Sequence, residues 1–504
     1  MDYKLTAAVW ELTMGCNMRC KHCGSSCADK LEGELTTEEA LKLCDDLKEL
    51  DIEYITLSGG EPTIRKDWPI IAKQLSKNGI IPNIITNGWI LDEALVKKAK
   101  ESDINTMAIS IDGLKSTHDY IRREGSFDRS IKALKLIKDG GVYPAVITTV
   151  NSVNINELEE MYELFSEIGV VTWQMQMALP MGNFVHQTEW YLEPEHVDKI
   201  IDFAHSKKDG NVGMVLADCM GYYNKKVLEV MQSTTPDTGH WQGCSAGKRS
   251  MGILHNGDIT ACTSLRDRKF IEGNIRERPL SDIWLSENSF KWNRNFKKNQ
   301  LTGLCAKCQY GHVCLGGCNN TRLCMNDDVY SENKYCSYNV EVSKIKKRIE
   351  SIDDDETLHK LAYSLINKKQ FQSADLVLDK LLAKQPDNIE YMELSGYVSF
   401  ELQNYESCEN VNRRILKINP EDAYASKGLG LALYRLGNIE DGLMHLYNAI
   451  RMKEGVNAEI YYDLCVVLQD LQKNKELVQI KNEAEKCENY EEWRSQFDNL
   501  DVSA

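Results

Sequence analysis

Glu11-Leu12-Thr13-Met14-Gly15-Cys16-Asn17-Met18-Arg19-Cys20-Lys21-His22-Cys23 sets three thiols at C-x3-C-x2-C spacing directly after a β-prone run, Val9–Thr13. Thiolates are soft ligands that suit iron–sulfur clusters or zinc. Three of them at this spacing can hold three irons of a cubane cluster and leave the fourth iron open to a cofactor or substrate. A structural zinc site is closed by four ligands, and Cys27 stands near enough in sequence to complete such a set. Beyond this loop, short β-rich runs alternate with amphipathic helical segments as far as Leu216. The predicted strands are Val9–Thr13, Tyr54–Ser58, Asn83–Thr86, Met107–Ile111, Ala145–Val150 and Thr172–Met177. The predicted helices include Glu38–Leu50, Trp68–Asn78, Glu93–Lys100, Ser130–Lys138 and Glu157–Ile168, and Thr36 with Glu39 makes a capping box for the first. Repeated βα units imply an α/β fold, a parallel sheet with helices outside it. Six units fit a partial (β/α)6 barrel, whose ligands gather at the C-terminal ends of the strands.

Polar and glycine-rich motifs fall at those ends. Leu57-Ser58-Gly59-Gly60-Glu61-Pro62 follows the second strand, Thr86-Asn87-Gly88 the third, Ser110-Ile111-Asp112-Gly113 the fourth, and Val150-Asn151 the fifth; His118-Asp119-Tyr120-Ile121-Arg122 comes shortly after the fourth. Singly, several are common turn dipeptides. In this order, behind the three cysteines, they resemble the radical S-adenosylmethionine (SAM) superfamily. The resemblance implies a [4Fe–4S] cluster on Cys16, Cys20 and Cys23 whose open iron takes the amino and carboxylate groups of SAM. An electron from the cluster then cleaves the cofactor to a 5′-deoxyadenosyl radical. It further implies cofactor contacts at Gly59, Gly60, Glu61, Pro62, Thr86, Asn87, Ser110, Asp112, Arg122 and Asn151. The glycines would let the backbone approach the ligand. No residue is singled out as a catalytic acid or base.

A second cysteine group begins with Cys244, Gly257 and Cys262 as C-x12-G-x4-C, and continues with Cys305, Cys308, Cys314 and Cys318 as C-x2-C-x5-C-x3-C, then Cys336. Paired C-x2-C motifs also occur in zinc ribbons. The group resembles the SPASM extension of radical SAM enzymes that modify peptides and proteins. That resemblance implies one auxiliary cluster on Cys305, Cys308, Cys314 and Cys336 and another on Cys244, Cys262 and Cys318, for three [4Fe–4S] clusters in all. Anaerobic sulfatase maturases carry an aspartate directly after the second cysteine; here Thr263 stands there, which speaks against oxidation of a serine or cysteine. Residues 245–261 hold no cysteine, so the second auxiliary cluster lacks a fourth thiolate there. His255, Asp258, Cys219 and Cys324 are the alternatives, with Cys324 the strongest because it follows Cys318 by six residues. An iron left open could bind a substrate thiolate, which leads to the expectation of a thioether cross-link.

Seventeen cysteines and no export signal after Met1-Asp2-Tyr3-Lys4 fit a cytoplasmic protein with metal-bound thiols rather than a disulfide framework. A net charge of −16 argues against nucleic-acid binding, and no apolar stretch is long enough to span a membrane. From Asp353 the pattern turns helical and repetitive: Pro386 and Pro420 lie 34 residues apart, as do Gly396 and Gly430, and Ala374 and Ala449 fall on small-residue positions. This period resembles the tetratricopeptide family, with three repeats and a degenerate fourth. The expected partition is 1–216 barrel, 217–243 connector, 244–345 SPASM domain and 353–495 helical repeats. The function expected is maturation of a ribosomally made precursor peptide, with the repeats holding its leader and flavodoxin or ferredoxin supplying electrons. A dehydrogenase of a small molecule or protein side chain, and a carbon–carbon cross-linking or epimerising maturase, are the alternatives.

Overall fold

The computed structural model describes residues 3–217, 220, 224–236, 239, 241–452 and 455–500. They divide into two compact units, 1–306 with 310–340, and 307–309 with 341–504.

The first unit is built on one sheet. Its strands are β1 (Ala7–Thr13), β2 (Tyr54–Gly59), β3 (Ile81–Thr86), β4 (Thr106–Ser110), β5 (Tyr143–Val150), β6 (Thr172–Met177), β7 (Gly213–Leu216), β8 (Ser250–Ile253), β9 (Asp258–Thr260) and β10 (Ile271–Asn274), in the order β10-β9-β8-β1-β2-β3-β4-β5-β6-β7. β1 to β7 run parallel, each paired with the next. A parallel sheet covered by helices buries residues on both faces of its strands. In β1, Trp10 and Leu12 join the hydrophobic core, while the alternate positions Glu11 and Thr13 are buried but polar.

Helices cover the sheet: α1 (Thr37–Glu49), α2 (Trp68–Lys77), α3 (Glu93–Glu101), α4 (Lys115–Ile121), α5 (Ser126–Asp139), α6 (Leu158–Ile168), α7 (His196–Ser206) and α8 (Lys225–Thr234). α1 buries Ala40, Leu43, Cys44 and Leu47, the i, i+3, i+4, i+7 stripe of a core-facing helix. Its capping box closes as the sequence predicts, with Glu39 N donating to Thr36 Oγ1 at 3.2 Å and Thr36 N to Glu39 Oε2 at 2.8 Å.

The sheet extends beyond the six strands predicted up to Leu216, and takes in the two short strands expected at Gly252–Leu254 and Asp258–Ala261. β7 adds a seventh parallel strand, α4 and α7 are further helices, and the connector at 217–243 contains α8. The cysteine-rich segment contributes as well: β8 pairs in parallel with the free edge of β1, and β9 and β10 continue antiparallel from it.

The second unit consists of helix pairs: Asp355–Asn367 with Phe371–Lys384, Ile389–Glu401 with Tyr405–Ile418, Ala423–Arg435 with Ile439–Ala449, and Ala458–Asp470 with Asn474–Ala484, followed by Tyr490–Asp498. The first helices begin at 355, 389, 423 and 458, so the 34-residue period holds until one extra residue enters the last step. The repeat is written in the caps: Asp354, Asn388, Asp422 and Asn457 each accept a backbone N–H three residues on. Ala374 and Ala449 are fully buried. At Gly430 a Cβ would lie 2.7 Å from the Leu446 side chain and 2.8 Å from Gly442 O, so only a glycine lets the two helices approach this closely.

Candidate active site

The cysteine loop leaves the C-terminal end of β1 and is bonded to the end of β2. Gly60 N donates to Thr13 O at 2.7 Å and Glu61 N to Gly15 O at 2.9 Å. A Cβ at Gly59, whose φ is +127°, would lie 2.3 Å from Thr13 O, and one at Gly60 would lie 2.2 Å from Gly15 O. The motif's pattern suggests glycines that admit a ligand. The structure shows them serving the close approach of two chain segments that sets the cysteine loop against β2.

That loop is anchored through its backbone. Cys16 N donates to Ala28 O at 2.7 Å, Lys21 N to Ile121 O at 3.0 Å, and Asn183 N to Cys23 O at 2.9 Å. Cys16, Cys20 and Cys23 are partly exposed, whereas Cys27 is buried. The Cys27 thiol hydrogen-bonds to Cys23, which pushes Cys27 up and Cys23 down from the ordinary thiol range. Burial raises Cys20 to about 11 against the pull of Arg122. Three partly exposed thiols on one backbone-anchored loop, with the fourth buried behind them, fit a cluster that keeps one iron open.

Glu61 organises the neighbouring strand end. It has no exposed surface. Its Oε1 accepts from Thr63 N at 3.1 Å, Thr63 Oγ1 at 2.5 Å and Thr86 Oγ1 at 2.7 Å, and its Oε2 from Asn87 N at 2.7 Å. Asn87 in turn donates from Nδ2 to Asn17 Oδ1 at 2.7 Å, inside the cysteine loop. Asp112, also fully buried, accepts Arg122 Nε at 2.5 Å and lies 2.8 Å from His22 Nε2, while its Oδ1 accepts Thr149 N at 2.7 Å. Burial opposes its charge, but Arg122 and His22 outweigh it and hold the carboxyl well below the usual range. Arg122 is within electrostatic reach of Cys20 and Cys23, beside the cysteine loop. Asn151 is buried, bonded to Val153 N and Thr149 O. Glu61, Asp112 and Asn151 are buried without exposed surface, and through these hydrogen bonds they position their neighbours. Ser110 at the end of β4 is partly exposed, Thr86 and Pro62 are buried, and Asn87 faces the cysteine loop.

His22 and His118 escape the motif reading. His118 Nδ1 accepts Asp112 N at 3.1 Å, and burial lowers the ring to about 4. The signal for His22 was its place inside the cysteine motif; His118 had none beyond proximity to Arg122.

In the second group Cys244, Cys305, Cys308 and Cys314 are buried, and Cys262, Cys318 and Cys336 partly exposed. Cys305 Sγ accepts Asn333 N at 3.4 Å and Asn339 Nδ2 at 3.3 Å. Arg266 pairs with Glu11 on β1 and donates to Ser25 Oγ at 2.6 Å, tying this segment to the first cysteine loop. Among the candidates for a fourth ligand, Asp258 accepts Asn256 Nδ2 and Asn274 Nδ2, each at 2.8 Å. The charges acting on His255 come from Glu34, Arg266 and Asp258. Cys324 lies within electrostatic reach of Cys318 and Cys262, and burial pushes its thiol up to about 12. Cys219 lies outside the described residues.

Comparison with known proteins agrees with this arrangement. Residues 10–165 match the radical SAM superfamily, and residues 244–309 match SPASM, an iron–sulfur cluster-binding domain. An AdoMet-dependent heme synthase of Methanosarcina barkeri is 29% identical over 340 residues, 65% of this chain and 95% of that protein. The mycofactocin maturase MftC of Mycolicibacterium smegmatis is 28% identical over 314 residues, 61% of this chain and 76% of that one. In fold, the SAM-bound structure of SuiB from Streptococcus suis superposes with a TM-score of 0.54 at 16% identity, covering 66% of this chain and 78% of SuiB. The AdoMet-bound structure of anSMEcpe does so with a TM-score of 0.54 at 21% identity, covering 66% and 94%. By its two cysteine groups, its parallel sheet and these matches, the chain is a radical SAM enzyme with a SPASM domain.

Proposed function

We propose that this enzyme matures a ribosomally made peptide. The observation that carries the proposal is the second unit: a repeat of helix pairs, outside both family matches, follows the radical SAM and SPASM segments. Stacked helix pairs offer an extended surface suited to a peptide. The kinship to MftC, named as a maturase, and the fold shared with SuiB, whose structure with its precursor peptide SuiA is solved, support the same reading.

In this reading Cys16, Cys20 and Cys23 hold the first cluster and the SPASM cysteines hold two more. When bound, the first cluster and SAM supply the 5′-deoxyadenosyl radical that abstracts hydrogen from the peptide. The chain's own residues prepare the site. Asp112 keeps Arg122 charged and aimed beside the cysteine loop, where a cofactor carboxylate would meet it. Glu61 holds the Thr86–Asn87 backbone against that loop. A thioether product needs an open iron at Cys244, Cys262 and Cys318, and Cys324, in reach of two of them, is the residue that decides between an open and a closed cluster. Electron delivery by flavodoxin or ferredoxin, leader binding by the repeats and a cytoplasmic location belong to the same proposal.

The heme synthase relatives favour a second reading, a small-molecule substrate handled without the repeats. Truncation near Ile352 separates the two. The probe is a synthetic peptide with the sequence of a short Cys- or Gly-rich open frame sought beside this gene. Loss of peptide affinity with retained SAM cleavage supports the maturase; equal affinity of both forms removes the repeats from the account.

A further inference from the structure

Arg322 is 1% exposed, one of the largest fully buried side chains described. It lies on the short helix Asn319–Asn326 that starts after Cys318. Its Nη2 donates to Asn319 Oδ1, but Nε and Nη1 find no acceptor among the described residues. A relay of buried amides holds it. Asn319 Nδ2 donates to Asn293 Oδ1 at 3.0 Å, and Asn293 Nδ2 donates to Cys244 O at 3.0 Å and Ala246 O at 2.6 Å. The Phe296 ring lies 5.1 Å from the guanidinium carbon.

The largest charges acting on this guanidinium are, in order, those of Cys305, Cys244, Cys318 and Cys314. Burial pulls its affinity for the proton down, and those sulfurs pull it up. An unpaired buried cation costs several kcal/mol, and each buried donor left without an acceptor adds to that. One neutral amide and one aromatic ring do not offset such a cost. The arrangement calls for an anion, and the four sulfurs mark where it sits. Cys305 and Cys314 belong to one expected auxiliary set, Cys244 and Cys318 to the other.

We propose that Arg322 is the shared counter-cation of the two auxiliary clusters, the unused N–H donors of its Nε and Nη1 donating to cluster sulfur and favouring the reduced state. The proposal rests on the reading that these cysteines hold iron–sulfur clusters. A cubane on thiolates is anionic and gains one negative charge when it takes up one electron. A fixed cation and N–H donors at sulfur stabilise that added charge and raise the reduction potential.

The test is a potentiometric EPR titration of the auxiliary clusters in the full chain carrying Cys16→Ala, Cys20→Ala and Cys23→Ala, so that the first cluster contributes no signal. Arg322→Gln, which removes the charge, should lower the ratio of reduced to oxidised auxiliary cluster at a fixed potential by about tenfold or more, which is about 59 mV for one electron. Arg322→Lys, which keeps the charge, should stay within about threefold of the parent. If Arg322→Gln sheds auxiliary iron while Arg322→Lys retains it, the counter-cation role is again supported. An unchanged potential in Arg322→Gln overturns the proposal. So does an equal fall, or equal loss of iron, in both variants, which would make the role one of packing. Zinc in place of iron in the parent would overturn the underlying cluster reading, and so is told apart from a failure of Arg322 alone.

Discussion

Replacing Glu61 by glutamine tests whether the buried carboxylate holds the cofactor side of the barrel in place. The amide oxygen can keep the donors at Oε1, Thr63 N, Thr63 Oγ1 and Thr86 Oγ1. At the Oε2 position an NH2 group then faces Asn87 N, donor against donor, in place of a 2.7 Å bond. The lost bond is to a charged acceptor, worth about 1.5–3 kcal/mol. Asn87 is also the residue that reaches Asn17 in the cysteine loop. A loop released at Asn87 must be ordered again when SAM binds, so the cost appears in binding. At about 1.4 kcal/mol per factor of ten, SAM affinity should fall about ten- to a hundredfold. The assay is equilibrium binding of SAM to the anaerobically reconstituted protein, with iron content measured alongside. An affinity within about twofold of the parent at full iron content would refute the argument, because the hydrogen bonds to Glu61 would then not be what orders the strand end.

Gly60→Ala places a methyl group against the Gly15 and Met14 carbonyls, which are backbone and cannot swing away. It should cost about 1–3 kcal/mol and displace the cysteine loop, seen as loss of iron from the first site with the auxiliary iron retained. His118 predicts a pH dependence. Buried, and beside the Arg122 charge, it refuses a proton until about 4, whereas the unfolded chain accepts one near 6.5. Stability is therefore full at neutral pH and is lost as pH falls from about 6.5 towards about 4, with about 2 kcal/mol gone by pH 5. Chemical unfolding of the parent and His118→Asn at pH 7 and pH 5 should show the parent losing that much more than the variant; equal losses would contradict the burial argument.

The alternation of β-rich and amphipathic runs made β1 to β6 legible, because each strand carries enough apolar residues to fill its side of the core. β7 and β10 are four residues long and begin or centre on glycines, Gly213 and Gly273, so neither shows a period. The pairing of β8 with β1 joins residues far apart in the chain and leaves no local trace. The repeat period was plain in Pro386 and Pro420, and the structure adds its cause, a cap residue two positions after each proline. Among site residues the cysteines announce themselves by spacing. Motif order finds Glu61 and Asp112 but not the hydrogen bonds that hold them, since burial and hydrogen bonding are three-dimensional facts. Arg322 was invisible: an arginine in the polar run Asn319-Asn320-Thr321-Arg322 reads as exposed, and only the packing shows that it is not.

The central claim is that the first three cysteines hold a cluster with one open iron, separate from the clusters of the second group. It is tested by measuring iron content and 5′-deoxyadenosine formation together, in the anaerobic parent with reductant and SAM and in the variant lacking Cys16, Cys20 and Cys23. The account predicts about twelve irons and product in the parent, against about eight irons and no product in the variant. Product formed by the variant, or zinc as the dominant metal in the parent, would contradict it.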